Sequence, residues 1–321
     1  MLACGGSHVP AVTLDELEAF VCLAQLRSFT AASHKLARTQ PAITRRLAKL
    51  ERTLGAKLLD RRSSRVELTE PGRALLGHAE AAIAAARDGV DAVRELLAPD
   101  GDLGAVSLAI VGTLADSHLV AALRGFEKRF PATTVELRTA TSAEVSALVR
   151  SGEVDIGLRY LGADDPQLEM IPLGVERLAV VVPASHSVRA ARVRSLQRFG
   201  RDRWLAFPRR RGQPEAYSSL LERSLVRAGL ADASVTVVDS LTAQKRLIEA
   251  GLGVALMPES SVRDELRSGS LRAIELVGMD AEIPVLAVRR RRGHRRRLAI
   301  ELCELVKAHV PGLSRSRGRS R

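Results

Sequence analysis

Apolar residues recur at helical spacing through roughly the first hundred positions and in short strand-like runs after that, so the chain changes period and with it the kind of structure it builds. Thr13-Leu14-Asp15-Glu16 has the form of a capping box, and Leu14, Leu17, Val21 and Ala24 continue from it along one helix face. Ala32 and Leu36 lie four apart on a short second helix over about residues 30–37, which the Thr30 hydroxyl is placed to cap. A third helix starts at Thr39 or Gln40, with Thr39 as its N-cap and Pro41 in the first turn, where a missing N–H is tolerated. Ile43, Leu47, Leu50 and Leu54 form its apolar stripe; Arg45 and Arg52 fall almost opposite, beside Pro41, Thr44 and Ala48. Residues 61–68 read as a small basic hairpin with Val66 and Leu68 inward and Arg65 outward. Thr69 then caps a helix that runs to about Ala98. In it Leu76, Ala79, Ile83, Ala86, Val90, Val93 and Leu97 recur at alternating steps of three and four, the pattern of a coiled-coil seam. At ~1.5 Å per residue this helix would be roughly 40 Å long. Gly89, off the seam, costs it about 1 kcal/mol.

From Gly104 strands and helices alternate. Apolar runs at 106–111, 135–139 and 154–158 read as strands, with helices at 116–130 and 142–150, the second closed by Gly152. A second set starts near Glu176, with strands at 178–182, 204–207, 235–238 and 254–257 and helices at 215–228 and 241–250. A strand at 283–288 and a helix at 298–308 return to the first set. Repeated strand–helix–strand units imply a parallel sheet covered on both faces. The expectation is two α/β lobes, lobe I from 103–175 with 280–310 and lobe II from 176–279, crossing near 174–178 and 276–284.

Ligands of such folds sit where strand ends and helix starts converge. Thr113 follows the first strand. Ser142 opens a helix that it is placed to cap, and both hydroxyls can serve an anionic ligand at helix N-termini. Phe207, Pro208, Pro258 and Ser260 are the candidates from lobe II; for all six, a plain cap or turn is the alternative. Arg209, Arg210 and Arg211 after the 204–207 strand are suited to hold a carboxylate bidentately, but a solvated loop is the preferred reading.

Charge and composition sharpen this picture in places. The chain of 321 residues carries a net +12 and is 46% hydrophobic, enough for a proper core, and no run approaches the ~20 apolar residues of a membrane span. Residues 1–12 lack the pattern of a signal peptide and read as a loose extension. From Arg289 onward twelve basic residues face two acids, so a net +10 belongs to the chain's end and the global charge says little about DNA. The Arg289 to Arg297 run reads as a solvated strand–turn–helix connection, with contact to DNA the alternative, and residues 311–321 as a disordered basic tail. Between Lys35 and Arg65, by contrast, ten Lys or Arg stand against Glu51 and Asp60, a local +8 of the kind that phosphate neutralisation requires. Cys4, Cys22 and Cys303 have no metal spacing and suit a reducing compartment, with Cys22 a small core residue.

The two short helices at 30–37 and 40–54 have the layout of a helix-turn-helix, whose second helix lays its N-terminal residues over base edges in the major groove. Gln40 is there, and glutamine can pair bidentately with adenine. Thr44 and Arg45 follow one turn later, Arg45 either reading guanine or holding a phosphate. An ordinary amphipathic surface helix fits the same pattern, but the flanking helix, the basic hairpin and the local charge weigh against it. The residues Leu17, Phe20, Ser28-Phe29-Thr30-Ala31-Ala32, Leu36, Thr39-Gln40-Pro41-Ala42-Ile43-Thr44-Arg45, Leu50-Glu51, Leu54-Gly55, Leu58-Leu59, Arg61-Arg62 and Leu68-Thr69-Glu70-Pro71-Gly72 resemble the LysR-type transcriptional regulators. Arg27 stands where glycine is usual, and Thr39 and Thr44 where serine is common; these departures put only the operator in doubt.

That resemblance implies an α-helical winged helix-turn-helix DNA-binding domain over 12–70 and a linker and dimerisation helix over 71–99. It further implies a two-lobed α/β effector-binding domain, periplasmic-binding-protein-like, over 103–310. Double-stranded DNA would be contacted by Thr30, Thr39, Gln40, Pro41, Thr44, Arg45, Lys49, Arg62 and Arg65. Thr113 and Ser142 occupy positions that commonly line the effector pocket in that family. The implied protein is a cytoplasmic regulator that binds promoters sequence-specifically under control of a small-molecule effector, with carboxylates one candidate class. It would be a dimer or tetramer through the linker helix and act with RNA polymerase, needing no cofactor, metal or membrane and catalysing no reaction. Two rival classes are weaker. An enzyme acting on nucleic acid lacks its motifs: there is no P-loop or HExxH, and Gly251-Leu252-Gly253 fails to complete GxGxxG. A solute-binding protein would need a signal sequence and leaves the N-terminal part unexplained.

Overall fold

In the computed structural model, which describes residues 11–60, 66–97, 104–160, 164–208, 216–278, 281–292 and 297–309, the chain parts near Arg94 into two units. The first begins with the capping box read from the sequence: Thr13 Oγ1 accepts from the Glu16 amide at 3.4 Å and Glu16 Oε2 from the Thr13 amide at 3.3 Å. Helix α1 (Leu14–Leu26) follows, then α2 (Phe29–Lys35) and α3 (Gln40–Leu54). The cap of α2 differs from expectation. Ser28, not Thr30, accepts from the Ala31 amide at 3.2 Å, because the helix starts one residue before Thr30 and puts that hydroxyl inside its first turn. Thr39 does occupy the N-cap of α3, but its side chain makes no cap bond. Ile43, Leu47 and Leu50 of the stripe are fully buried with Ala19, Phe20, Leu23 and Ala32, while Leu54 at the helix end is 37% exposed. Each large apolar side chain so buried contributes about 1.5–3 kcal/mol. Cys22 is buried in this core.

The hairpin is described at its base, where β1 (Leu59–Asp60) pairs antiparallel with β2 (Glu67–Leu68); Arg61, Arg62, Ser63, Ser64 and Arg65 lie outside the described residues. Glu51 anchors the segment entering it. One carboxylate oxygen accepts from the amides of Leu58 (2.9 Å) and Leu59 (3.5 Å), and the other takes the Lys57 ammonium at 2.8 Å. Helix α4 (Glu70–Leu97) starts where Thr69 Oγ1 accepts from the Gly72 amide. A Cβ on Gly72 would lie 2.1 Å from the Leu58 carbonyl oxygen, so only glycine lets the helix start this close to the strand. Along the expected seam, Leu76, Ala79 and Ile83 join the core of this unit, whereas Val90, Val93 and Leu97 are 51%, 55% and 78% exposed.

The second unit contains β3 (Ala105–Ile110), α5 (Ser117–Arg129), β4 (Thr134–Thr139), α6 (Ser142–Arg150), β5 (Ile156–Tyr160) and a 16-residue β6 (Leu168–Pro183). It continues with β7 (Arg192–Val193), β8 (Trp204–Ala206), α7 (Ala216–Arg227), β9 (Val235–Val237), α8 (Leu241–Glu249), β10 (Val254–Pro258), α9 (Arg263–Ser268), β11 (Leu271–Leu276), β12 (Glu282–Arg290) and α10 (Arg297–His309). The strands run in the order β4-β3-β5-β12-β6-β10-β8-β9, with β11 on β6 and β7 on β11. β4, β3 and β5 are parallel, as are β10, β8 and β9, while β6 and β12 are antiparallel to their neighbours. β5 is buried along its whole length, as a strand covered on both faces must be. On one face Phe126 of α5 and Leu302 of α10 pack into the main core; on the other, Val145 and Val149 of α6 close over Gly157, where a Cβ would meet a Val145 methyl at 2.4 Å.

The lobe elements follow the expected order, but the sheets are mixed rather than parallel as expected, because β6 and β12 run antiparallel to their neighbours. The first crossing is not a loop: β6 passes through it unbroken, pairing with β12 up to Arg177 and with β10 and β11 from Leu178 onward. Its first half was missed because Pro172 and Gly174 interrupt the apolar run; β7, β11 and α9 were missed as well. The basic run also differs from the solvated connection expected. Arg289, next to last in β12, holds Glu169 with two bonds of 3.0 Å, and Arg291, just past the strand, donates to the Leu168 carbonyl, because the strand runs alongside β6. Residues 293–296, like Arg209, Arg210, Arg211 and the 311–321 tail, lie outside the described residues.

The Glu51 contacts make stability depend on pH. Burial opposes ionisation, but the Lys57 ammonium and the two amides outweigh it and hold this carboxyl below the ordinary value of 4.5. A pKa lowered on folding adds stability above the unfolded value, and that stability is lost as pH falls through the native one. Glu51→Gln is therefore expected to lower the melting temperature at neutral pH and to converge with the parent protein as pH falls below the native value of this carboxyl. Circular-dichroism melts across that range check it; a gap that persists in acid would show that shape, not charge, is what Glu51 supplies.

Candidate DNA interface and effector cleft

Because Ile43, Leu47 and Leu50 are locked inside, the rotation of α3 is fixed and its opposite side faces water. Thr30, Thr39, Gln40, Pro41, Arg45 and Lys49 are exposed and Thr44 is half-buried. Gln40 does not project freely: its Nε2 donates to Thr30 Oγ1 on α2 at 2.8 Å. Arg45 makes no hydrogen bond or ion pair among the described residues, which leaves its guanidinium available. Lys49 is engaged, with its ammonium 2.7 Å from Glu16 Oε1 on α1, although it remains 56% exposed. Arg46 likewise meets Asp15 at 2.5 Å, so two ion pairs tie α1 to α3. Burial opposes ionisation of the Glu16 carboxyl, yet Lys49 and the Thr13 amide and hydroxyl together hold its pKa below the ordinary value. Arg62 and Arg65 lie outside the described residues. Sequence reasoning missed Asp15, Glu16 and Arg46 as the frame behind the exposed face, although an acid in the first turn of α1 was a visible signal.

In the second unit, two cavities open where the lobes meet. One of about 160 Å3 has an apolar floor that includes Leu158, Leu173 and Val285, with Asp116, Glu176 and Arg263 among its polar walls. The other, of about 700 Å3, is wider and is lined by Thr113, Arg124, Lys245, Ser260 and Arg263, among others. Ser260 and Arg263 border both. Of the six residues singled out from the sequence, Thr113 and Ser260 thus come together, while Ser142, Phe207, Pro208 and Pro258 line neither of these two cavities. Thr113 is buried, its hydroxyl 2.8 Å from that of Tyr160. Ser142 is not the cap of α6. Thr141 takes that role, its Oγ1 accepting from the Glu144 amide while Glu144 Oε2 accepts from the Thr141 amide and hydroxyl. Ser142, one position further in, is buried with its Oγ unpartnered.

Two contacts close this cleft, one from lobe II to the shared strand β6 and one from lobe II to lobe I. Ser260 donates to Glu176 Oε2 at 2.9 Å, and Arg263 Nη2 lies 3.0 Å from His118 Nε2. A guanidinium only donates, so in this contact Arg263 is the donor and His118 Nε2 the acceptor. Asp116 caps α5, taking the amides of His118 and Leu119 at 3.0 Å each. Burial pushes the Glu176 carboxyl above the usual carboxylate range; Asp116 adds to this, while Ser260 and Arg263 oppose it. Asp116 had a sequence signal as a helix cap. Glu176 and Arg263 had none, since a mid-strand acid and a helix-start arginine meet only in three dimensions.

Residues 14–73 match the family model of the bacterial regulatory helix-turn-helix proteins, lysR family, and residues 99–311 match the LysR substrate binding domain. The HTH-type transcriptional regulator ShiR of Corynebacterium glutamicum (strain R) is 31% identical over 242 residues, covering 75% of this chain and 80% of that protein. The HTH-type transcriptional regulator TfdS of Cupriavidus pinatubonensis is 27% identical over 270 residues, covering 84% and 90%. Among solved structures, full-length CbnR complexed with its target DNA superimposes with a TM-score of 0.55 at 26% identity, covering 92% of this chain and 99% of that one. With both its helix-turn-helix and its two-lobed unit matched, the chain belongs to the LysR family of transcriptional regulators.

Proposed function

We propose that α3 enters the major groove of promoter DNA with Gln40, Thr44 and Arg45 toward base edges, and with Thr30, Thr39, Pro41 and Lys49 at or near the phosphates. Arg62 and Arg65 would extend that contact from the hairpin. One observation carries this reading: the apolar side of α3 is sealed in the core while Gln40 and Arg45 stand exposed, Arg45 unpaired among the described residues. Lys49 is the least free of the set, because a phosphate would share it with Glu16. The family assignment and the DNA-bound relative support binding rather than catalysis as the activity. No helix among the described residues is long and apolar enough to cross a membrane, and we place the protein in the cytoplasm with its promoter and RNA polymerase.

The exposed apolar half of α4 supports self-association. Val90, Val93 and Leu97 continue the seam beyond the part that packs in the first unit, and a second copy would cover them. Two copies would read an inverted-repeat operator. A small molecule in the lobe cleft would bias the population of lobe arrangements, which requires it to prefer one of them. Thr113, Ser260 and Arg263 are the residues we assign to it, with Ser142, whose buried hydroxyl has no partner, a further candidate although it lines neither cavity; a carboxylate would pair with Arg263. Phe207, Pro208 and Pro258 remain supporting candidates from lobe II.

Gel shifts on upstream intergenic DNA are expected to show binding that Arg45→Ala weakens. A loss of about 1–3 kcal/mol confined to one base pair assigns Arg45 to a base; a uniform loss with a salt slope smaller by about 1 assigns it to a phosphate. Unchanged affinity for every sequence would remove Arg45 from the interface. In thermal-shift screens of small carboxylates, Thr113→Val and Ser142→Ala are expected to blunt the stabilisation seen with the parent chain, and an undiminished shift would exclude both as effector residues. Light scattering at micromolar concentration is expected to give a dimer or tetramer that Val93→Asp weakens; a monomeric mass for the parent chain would refute the α4 assignment.

A further inference from the structure

The bond between Gln40 and Thr30 bears on which base the protein reads. The inference rests on α3 being the recognition helix and concerns how its first side chain is aimed. Gln40 is the first residue of α3 and Thr30 lies in the first turn of α2, so the 2.8 Å contact spans the turn of the helix-turn-helix. The Thr30 hydroxyl is available for it because Ser28 caps α2, and because Ser33 donates to the carbonyl of Thr30 rather than to its side chain. An exposed glutamine normally samples many rotamers, and the contact removes much of that freedom before any DNA arrives.

We propose that Thr30 is a positioning residue that holds the Gln40 carboxamide in one orientation and thereby sets the operator base it reads as adenine. A carboxamide has two N–H donors and one carbonyl acceptor. With one N–H engaged by Thr30, Gln40 presents the other N–H together with Oε1. Adenine offers the complementary pair in the major groove, the N7 acceptor and the N6 donor. Guanine offers two acceptors and no donor, cytosine a single donor, and thymine an acceptor beside a methyl group. Were the amide turned over, with Thr30 donating to Oε1, two N–H groups would remain and guanine would be the match. The base preference therefore reports the orientation. The Thr30 hydroxyl keeps its own proton, which stays free for a nearby phosphate.

The test is a double-substitution cycle in the full-length protein. An operator is first located by footprinting upstream intergenic DNA, and affinities are then measured by fluorescence anisotropy on duplexes carrying every single base-pair change. Gln40→Ala is expected to erase a preference for A·T at one position per half-site. Thr30→Val is expected to lower operator affinity roughly three- to ten-fold, the range for losing one pre-ordered side chain, and to flatten the same position. Its salt slope should stay unchanged, since an uncharged hydroxyl neutralises no phosphate, and the loss of any phosphate contact that Thr30 makes lowers affinity equally on every sequence. Thr30→Ser is expected to restore both affinity and preference, and Thr30→Val is expected to cause no further loss of base-pair preference in the Gln40→Ala background. Melting curves establish that each variant is folded. Independent effects of the two substitutions on base-pair preference, failure of Thr30→Ser to restore that preference, or a Gln40-dependent preference for G·C would each overturn the proposal. If Gln40→Ala changes nothing at any base pair, the assignment of Gln40 as a base reader falls, and the proposal with it.

Discussion

The DNA-binding reading depends on the burial of one side of one helix. Ile43, Leu47 and Leu50 have no exposure at all, and rotating α3 would bring them into water at about 1.5–3 kcal/mol each. That constraint fixes the helix about its own axis, and the axis fixes what faces outward. Gln40 and Arg45 are exposed because their positions on a 3.6-residue period lie away from the stripe. The core therefore does more than hold the unit together; it orients a chemical surface.

Buried or nearly buried carboxylates refine that orientation. Glu16 reaches from α1 to Lys49, and Glu51 reaches from the end of α3 to the backbone leading into the hairpin. A charge in either place is tolerated because ammonium groups and amides surround it, and each pKa is lowered as a result. Glu176 in the lobe cleft shows the opposite balance. Its desolvation and the nearby Asp116 outweigh Ser260 and Arg263, so its charge is disfavoured where the two lobes touch. The first two sites favour a single arrangement, whereas the third keeps a poorly satisfied acid at the junction of the lobes.

The second unit is organised by β6. A strand of 16 residues is long for a globular protein, and at about 3.3 Å per residue it extends roughly 50 Å, enough to serve two sheets in turn. β12 begins opposite Arg177, at the point where β6 leaves it to pair with β10 and β11, so β6 is the strand that both lobes share. The cleft lies beside this shared segment, and its closing contacts, Ser260 with Glu176 and Arg263 with His118, come from elements far apart in the chain.

Much of this was legible in the chain itself. Helical period and capping signals located α1, α3 and α4, because they are local properties that backbone hydrogen bonding alone can satisfy; Gly72 was visible as part of a motif but not for its reason. Alternating strands and helices gave the lobes, and the run around Gln40 gave the family. What the chain could not disclose were outcomes of competition between neighbours. Ser28 rather than Thr30 caps α2, and Thr141 rather than Ser142 caps α6, since any hydroxyl near a helix start can cap and only the actual backbone path selects one. The Gln40–Thr30 contact, the Glu16–Lys49 pair and the meeting of Glu176 with Arg263 likewise depend on distances between elements, which periodicity does not encode. Local pattern determined which elements form and which sides are apolar; only their packing decided which polar groups meet, because those bonds need partners brought within about 3 Å by the fold as a whole.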